Sequence, residues 1–246
     1  MNYWEYNPQN YWALNQLPIV TREFRTAHWS GPDTREKFLK NPRPGYTETS
    51  IIYRYNKNGF RTSEFELNSQ QKSVLCLGCS FTEGIGLNAE QTWPHLIKEH
   101  FPDHLVYNLG VAGSSADTVA RHLVNIGLLL NTTHVFILWP SVGRYETYSD
   151  QFSSNWTHHN TDMYNLYTLD DTHMYNTKMR NVAMVQLLQQ IHQYQVIELQ
   201  QGHVEMPSMI DIARDGHPGP LWQKAVTETF ISRYQGNGNA LSASIT

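Results

Sequence analysis

The stretch that most constrains this chain is Ser73–Gly86, SVLCLGCSFTEGIG. An apolar run, Val74 to Leu77, ends at Gly78; Cys79 and Ser80 follow, and Thr82, Glu83, Gly84 and Gly86 lead into a helix-like pattern. A short apolar run bounded by glycine and entering a helix predicts a parallel strand buried on both faces. In an open α/β sheet, chemistry collects in the crevice at the carboxyl ends of the strands. Ser80, a hydroxyl on that turn, is therefore a candidate nucleophile. The rest of the chain has to supply a base, an orienting acid and an oxyanion site.

Downstream, strand and helix patterns alternate. A strand at 73–77 is followed by a helix over 88–101, with Trp93, Leu96 and Ile97 at helical spacing and Asn88 as its N-cap. A strand at 105–109, a Gly-rich turn at 110–115 and a helix over 116–130 come next. The near-continuous apolar run 134–139 is a third strand, and 195–199 a fourth. Between them lie a long polar loop, 140–176, and a helix over 178–193. The loop 207–217 leads to a closing helix over 220–234, which starts on Pro220. Short connections in this order imply right-handed crossovers and a parallel sheet. A frayed tail is expected over 235–246.

Upstream, residues 1–50 carry many aromatics and five prolines (Pro8, Pro18, Pro32, Pro42, Pro44). They read as an irregular extension wrapped on the main domain, 51–234, with a short helix near 33–39. The extension serves either packing or, through its Trp and Tyr, contact with substrate. Residues 51–65, IIYRYNKNGFRTSEF, predict a hairpin turning at 56–59.

Composition narrows the function. With 246 residues, 40% hydrophobic and 16% charged, the chain suits a globular α/β domain with a sizeable core. A net charge of -4 and the lack of a Lys/Arg stripe exclude nucleic acid as an electrostatic partner. The first residues have neither a basic start nor an apolar core, and no apolar run is long enough for a membrane span, so a cytoplasmic protein is expected. Two cysteines cannot form a disulfide framework. Cys76-Leu-Gly-Cys79 also fits a redox CxxC, but a Cys76 inside the strand would be packed and inert. His158, His159, Asp162 and His173 have no metal-site spacing. No cofactor is called for.

Three motifs in order resemble the SGNH/GDSL hydrolases. GCSFTEGIG resembles their first block, YNLGVAGSS (Tyr107 to Ser115) the second, and DGHPGPLW (Asp215 to Trp222) the fifth, Asp-x-x-His before a helix. The YRYNKNGFR segment is similar to a prelude in some members. The resemblance spans roughly residues 50–234. It implies a three-layer α/β/α sandwich with a mainly parallel, flavodoxin-like sheet, and ester hydrolysis through an acyl-enzyme. Carried over by position, Ser80 matches the nucleophile, His217 the base and Asp215 the acid, while the N–H groups of Ser80 and Gly113 match two oxyanion donors. The chain departs from the pattern in three places. Cys79 replaces the usual Asp. One residue, not two, separates Asp215 from His217, with Asp211 as the substitute acid. The third block, Gly-x-Asn-Asp, is absent, leaving Ser141 or Arg144 to replace its Asn.

A serine hydroxyl is a poor nucleophile until an imidazole takes its proton and a carboxylate holds the ring. Each residue also has a plainer account: a helix cap for Ser80, a loop histidine for His217, a turn glycine for Gly113, and a surface ion pair for Arg144 and Glu146. The sequence therefore supports two functions. One is a serine hydrolase for a small-molecule or carbohydrate ester. The other is a weakly active or inactive binding module on the same fold. Oligomeric state is not encoded in any motif.

Overall fold

The computed structural model of the chain describes residues 26–144, 171–204 and 211–243. Its elements are β1 (Thr26–Ala27), α1 (Arg35–Lys40), β2 (Tyr53–Arg54), β3 (Ser73–Leu77), α2 (Ser80–Glu83) and α3 (Trp93–His100). Then come β4 (Leu105–Asn108), α4 (Ala116–Gly127), β5 (Thr132–Trp139), α5 (Asp171–His192), β6 (Gln195–Gln200) and α6 (Pro220–Ala243).

Every residue of β3 is buried. β3 pairs in parallel with β4 on one side and β5 on the other, and β6 pairs in parallel with β5, giving the order β4-β3-β5-β6. Alternate strand residues feed two cores. Leu75, Leu77, Val135 and Ile137 pack with Val119, Leu123 and Ile126 of α4 and Val185 of α5. Val74, Cys76, Phe136 and Leu138 pack with Trp93 and Ile97 of α3 and Trp222, Val226 and Phe230 of α6. Helices thus cover both faces of a parallel sheet, the three-layer α/β/α sandwich expected. The chain leaves β3 to one side for β4 and returns to the other for β5, so the strand order reverses at β3. In doubly wound folds the crevice at such a reversal is where ligands bind. Ser80 follows β3 directly.

The differences from the sequence expectation have local causes. The helix expected over 88–101 is split: a 3-10 turn at Ala89–Gln91 gives way to extended backbone at Thr92, and α3 starts at Trp93. Pro94, lacking an N–H, is tolerated in a first turn and not in a helix interior. α4 stops at Gly127, whose carbonyl accepts bonds from the Tyr194 and Thr132 hydroxyls, and Leu128 and Leu129 face solvent.

α5 begins at Asp171 instead of 178. Its buried stripe runs Met174, Thr177, Asn181, Val185, and the two polar members hide the helical period in the sequence. Asn181 donates to Asp117 of α4 at 2.8 Å. The hairpin over 51–65 does not form as expected. The turn at 56–59 is present, with the Asn56 N–H bonded to the Phe60 carbonyl, but β2 pairs antiparallel with β1. α1 lies close to the expected 33–39, with Thr34 as N-cap. α6 continues to Ala243 instead of ending at Tyr234.

Candidate active site

Ser80 is the first residue of α2, immediately beyond the end of β3, and only 4% exposed. The turn that places it is sterically tight. A Cβ on Gly78 would stand 2.8 Å from the Leu138 carbonyl oxygen and would strike Thr82. A Cβ on Gly110 would come within 2.7 Å of the Thr82 carbonyl carbon and against the Glu83 amide. Glycine at both positions lets the β3 and β4 turns close on α2.

His217 reaches this serine from the far end of the chain. Its Nε2 lies 2.9 Å from Ser80 Oγ, and its Nδ1 lies 2.6 Å from Asp215 Oδ2. The Asp215 side chain is 1% exposed and that of His217 21%. A single intervening residue suffices because Gly216 has φ +101, which folds the chain back between the two side chains. Asp215 Oδ1 also accepts the His217 backbone N–H at 3.2 Å. The turn is closed by the Ala213 N–H on the His217 carbonyl at 2.8 Å. Phe81 meets the imidazole edge-on, with centroids 5.2 Å apart, and meets Trp222 in the same way.

Asp211 is elsewhere. Its carboxylate accepts the Leu221 and Trp222 N–H groups at 3.1 and 2.7 Å and so caps α6. Gly113 has φ +82 in the turn after β4. Among the described residues neither its N–H nor that of Ser80 has a hydrogen-bond partner. The Arg144 guanidinium lies 3.5 Å from the neighbouring Ser114 carbonyl. Ser141 is exposed.

Sequence reasoning missed the residues that hold these turns. Glu83, fully buried, accepts the Ala112 N–H at 2.5 Å and the Tyr55 hydroxyl at 2.7 Å. It thereby ties the Gly113 turn to α2. Arg61 donates to the carbonyls of Gly84, at 2.6 Å, and Leu87, at 2.7 Å, just past α2, and its guanidinium stacks on Tyr53 at 4.4 Å. The sequence signals are Glu83, the one charged residue of the Ser73–Gly86 motif, and the YRYNKNGFR segment, which holds Tyr53, Tyr55 and Arg61.

Cys76 is buried within β3, and burial pushes its thiol well up, as a packed and unreactive side chain requires. Both cysteines are free. Of the four residues weighed as metal ligands, His173 is exposed on α5 and the others lie outside the described residues. Among the described residues no group of three or more His, Cys, Asp or Glu could hold a metal ion.

No protein-family model matches the chain, and no curated protein matches it. Solved structures do. One is a member of the lipolytic protein G-D-S-L family from Veillonella parvula, 13% identical over 65% of this chain and 97% of that one, with a TM-score of 0.41. A second, described as a lipolytic protein of the G-D-S-L family, is from Desulfitobacterium hafniense: 16% identity, 69% and 74% coverage, TM-score 0.34. A third, described as an acylhydrolase, is from Bacteroides fragilis: 12% identity, 70% and 89% coverage, TM-score 0.33. All three TM-scores lie below 0.5.

Proposed function

We propose that the chain is a serine hydrolase that cleaves an ester through an acyl-enzyme on Ser80. The observation that carries this is the unbroken line from Ser80 Oγ to His217 Nε2, at 2.9 Å, and from His217 Nδ1 to Asp215 Oδ2, at 2.6 Å. As Oγ attacks the ester carbonyl, its proton passes to Nε2. The Asp215 carboxylate fixes the tautomer with the proton on Nδ1 and stabilises the imidazolium that forms. The carbonyl oxygen becomes an oxyanion facing the N–H groups of Ser80 and Gly113, which have no partner among the described residues, and each such donor is worth roughly 3–4 kcal/mol of barrier. The imidazolium then returns its proton to the leaving alkoxide. A water activated by the same imidazole releases the acid and regenerates Ser80.

The substrate class is an ester. O-acyl groups on a carbohydrate are one member of it, suggested by the aromatic residues of the first 50. Among the described residues no helix is long and apolar enough to cross a membrane. The test is turnover of p-nitrophenyl acetate by the wild type and by Ser80→Ala. Hydrolysis lost in the variant supports the proposal. A folded wild type with no turnover would leave the alternative, a binding module on this fold.

A further inference from the structure

We propose that Asp33, Tyr53 and Arg214 are positioning residues that lock the His217 loop onto the Ser80 loop, so that the N-terminal segment is part of the catalytic apparatus. This rests on the Ser80–His217–Asp215 reading above. The Arg214 side chain, fully buried, forms an ion pair with the equally buried Asp33: Nη2 lies 2.6 Å and Nε 3.1 Å from its carboxylate oxygens. The remaining donors are spent on the same segment, Nη1 on the Thr47 and Glu48 carbonyls at 3.1 and 3.2 Å and Nη2 on the His28 carbonyl. Trp29 stacks on the guanidinium at 3.9 Å. Residues 28–48 are thus folded around one arginine.

That arginine adjoins Asp215, and its backbone faces the nucleophile loop. The Arg214 N–H donates to the Gly86 carbonyl at 3.0 Å. The Gly86 N–H donates to the Tyr53 hydroxyl at 2.8 Å, and that hydroxyl donates to Asp33 at 2.6 Å. The four residues close a ring: Arg214 to Gly86, Gly86 to Tyr53, Tyr53 to Asp33, and Asp33 back to the Arg214 side chain. Inside it, Gly86 lies so close to Asp215 that a Cβ there would meet the Asp215 carboxylate. The His217 loop cannot shift relative to the Ser80 loop without breaking a buried member of the ring. A group misplaced by about 1 Å at a reacting centre loses on the order of 100-fold in rate.

The test compares Asp33→Asn and Tyr53→Phe with the wild type by two readouts. One is the rate at which a fluorophosphonate labels Ser80. The other, independent of activity, is the downfield proton resonance of His217 Nδ1, identified by its loss in His217→Gln. Both variants, folded by circular dichroism, should label at least tenfold more slowly and lose or broaden that resonance. In an Asp215→Asn background, Asp33→Asn should slow labelling no further, because residues acting through one partner are not additive. Folded variants that keep the resonance and label at the wild-type rate would overturn the proposal, as would losses that multiply. If Asp33→Asn does not fold, Tyr53→Phe, which retains the ion pair, decides. If the wild type does not label, the hydrolase reading falls and the resonance alone decides the ring.

Discussion

The two ends of the parallel sheet handle polar side chains differently. At the carboxyl end, Ser80, His217, Asp215, Glu83, Asp33 and Arg214 are bonded to one another or to glycine-rich turns at 2.5–3.2 Å. At the amino end, His104 and His134 sit with Phe101 and Tyr234, their rings 5.4 Å apart, and neither nitrogen of His104 has a hydrogen-bond partner among the described residues. Burial lowers both imidazoles, and His134, which also faces the Lys72 charge, is pushed down to about 4. Histidine at one end links a hydroxyl to a carboxylate through both ring nitrogens; at the other, His104 packs among aromatic rings and His134 adds a 2.8 Å bond to the Thr133 hydroxyl. Burial of a titratable side chain does not by itself mark a functional site; converging partners do.

The comparison can be broken most severely at the carboxyl end. Replacing His217 with Ala should lower kcat by roughly 10³- to 10⁶-fold, with the fold intact by circular dichroism. Asp215→Asn should lower it by roughly 10²- to 10⁴-fold, because the wrong tautomer is then favoured. Asp211→Ala should leave turnover within a few fold and instead cost on the order of 1–2 kcal/mol in a denaturant melt, since that side chain caps α6. The reverse ranking of the two aspartates would reassign the acid.

The strand–glycine–serine turn is legible in the sequence as a local pattern, and the Asp-Gly-His turn through its resemblance to a family block, because each lies within a few residues. Strand β3 has the bounds expected from its apolar run, Ser73–Leu77. What was not legible depends on distance along the chain or on polar groups in buried positions. Asp33 and Arg214 meet across 181 residues, and nothing local marks either as buried. The pairing of β2 with β1, and not with the chain after its own turn, is likewise a tertiary choice. The start of α5 was hidden by Thr177 and Asn181 on its inner face, and the helix cap at Asp211 looked like a spare catalytic acid.

The amino end offers the smaller effect. The folded protein holds His134 neutral, whereas the unfolded chain protonates it from about pH 6.5 downward. Stability is therefore full above about pH 6.5 and declines as pH falls toward 4. His134→Gln should flatten that decline by on the order of 1–2 kcal/mol, discounted for a partly exposed side chain. His104 and His122, also held below the usual range by burial, act with the same sign, so part of the acid sensitivity should remain in the variant.

The central claim is that Ser80 is an activated nucleophile. Labelling of the folded protein with a fluorophosphonate, followed by peptide mapping, addresses it directly. The account predicts one modified residue, Ser80, with labelling abolished in Ser80→Ala and much reduced in His217→Ala. Labelling at another serine, or none at all on the folded protein, would contradict it.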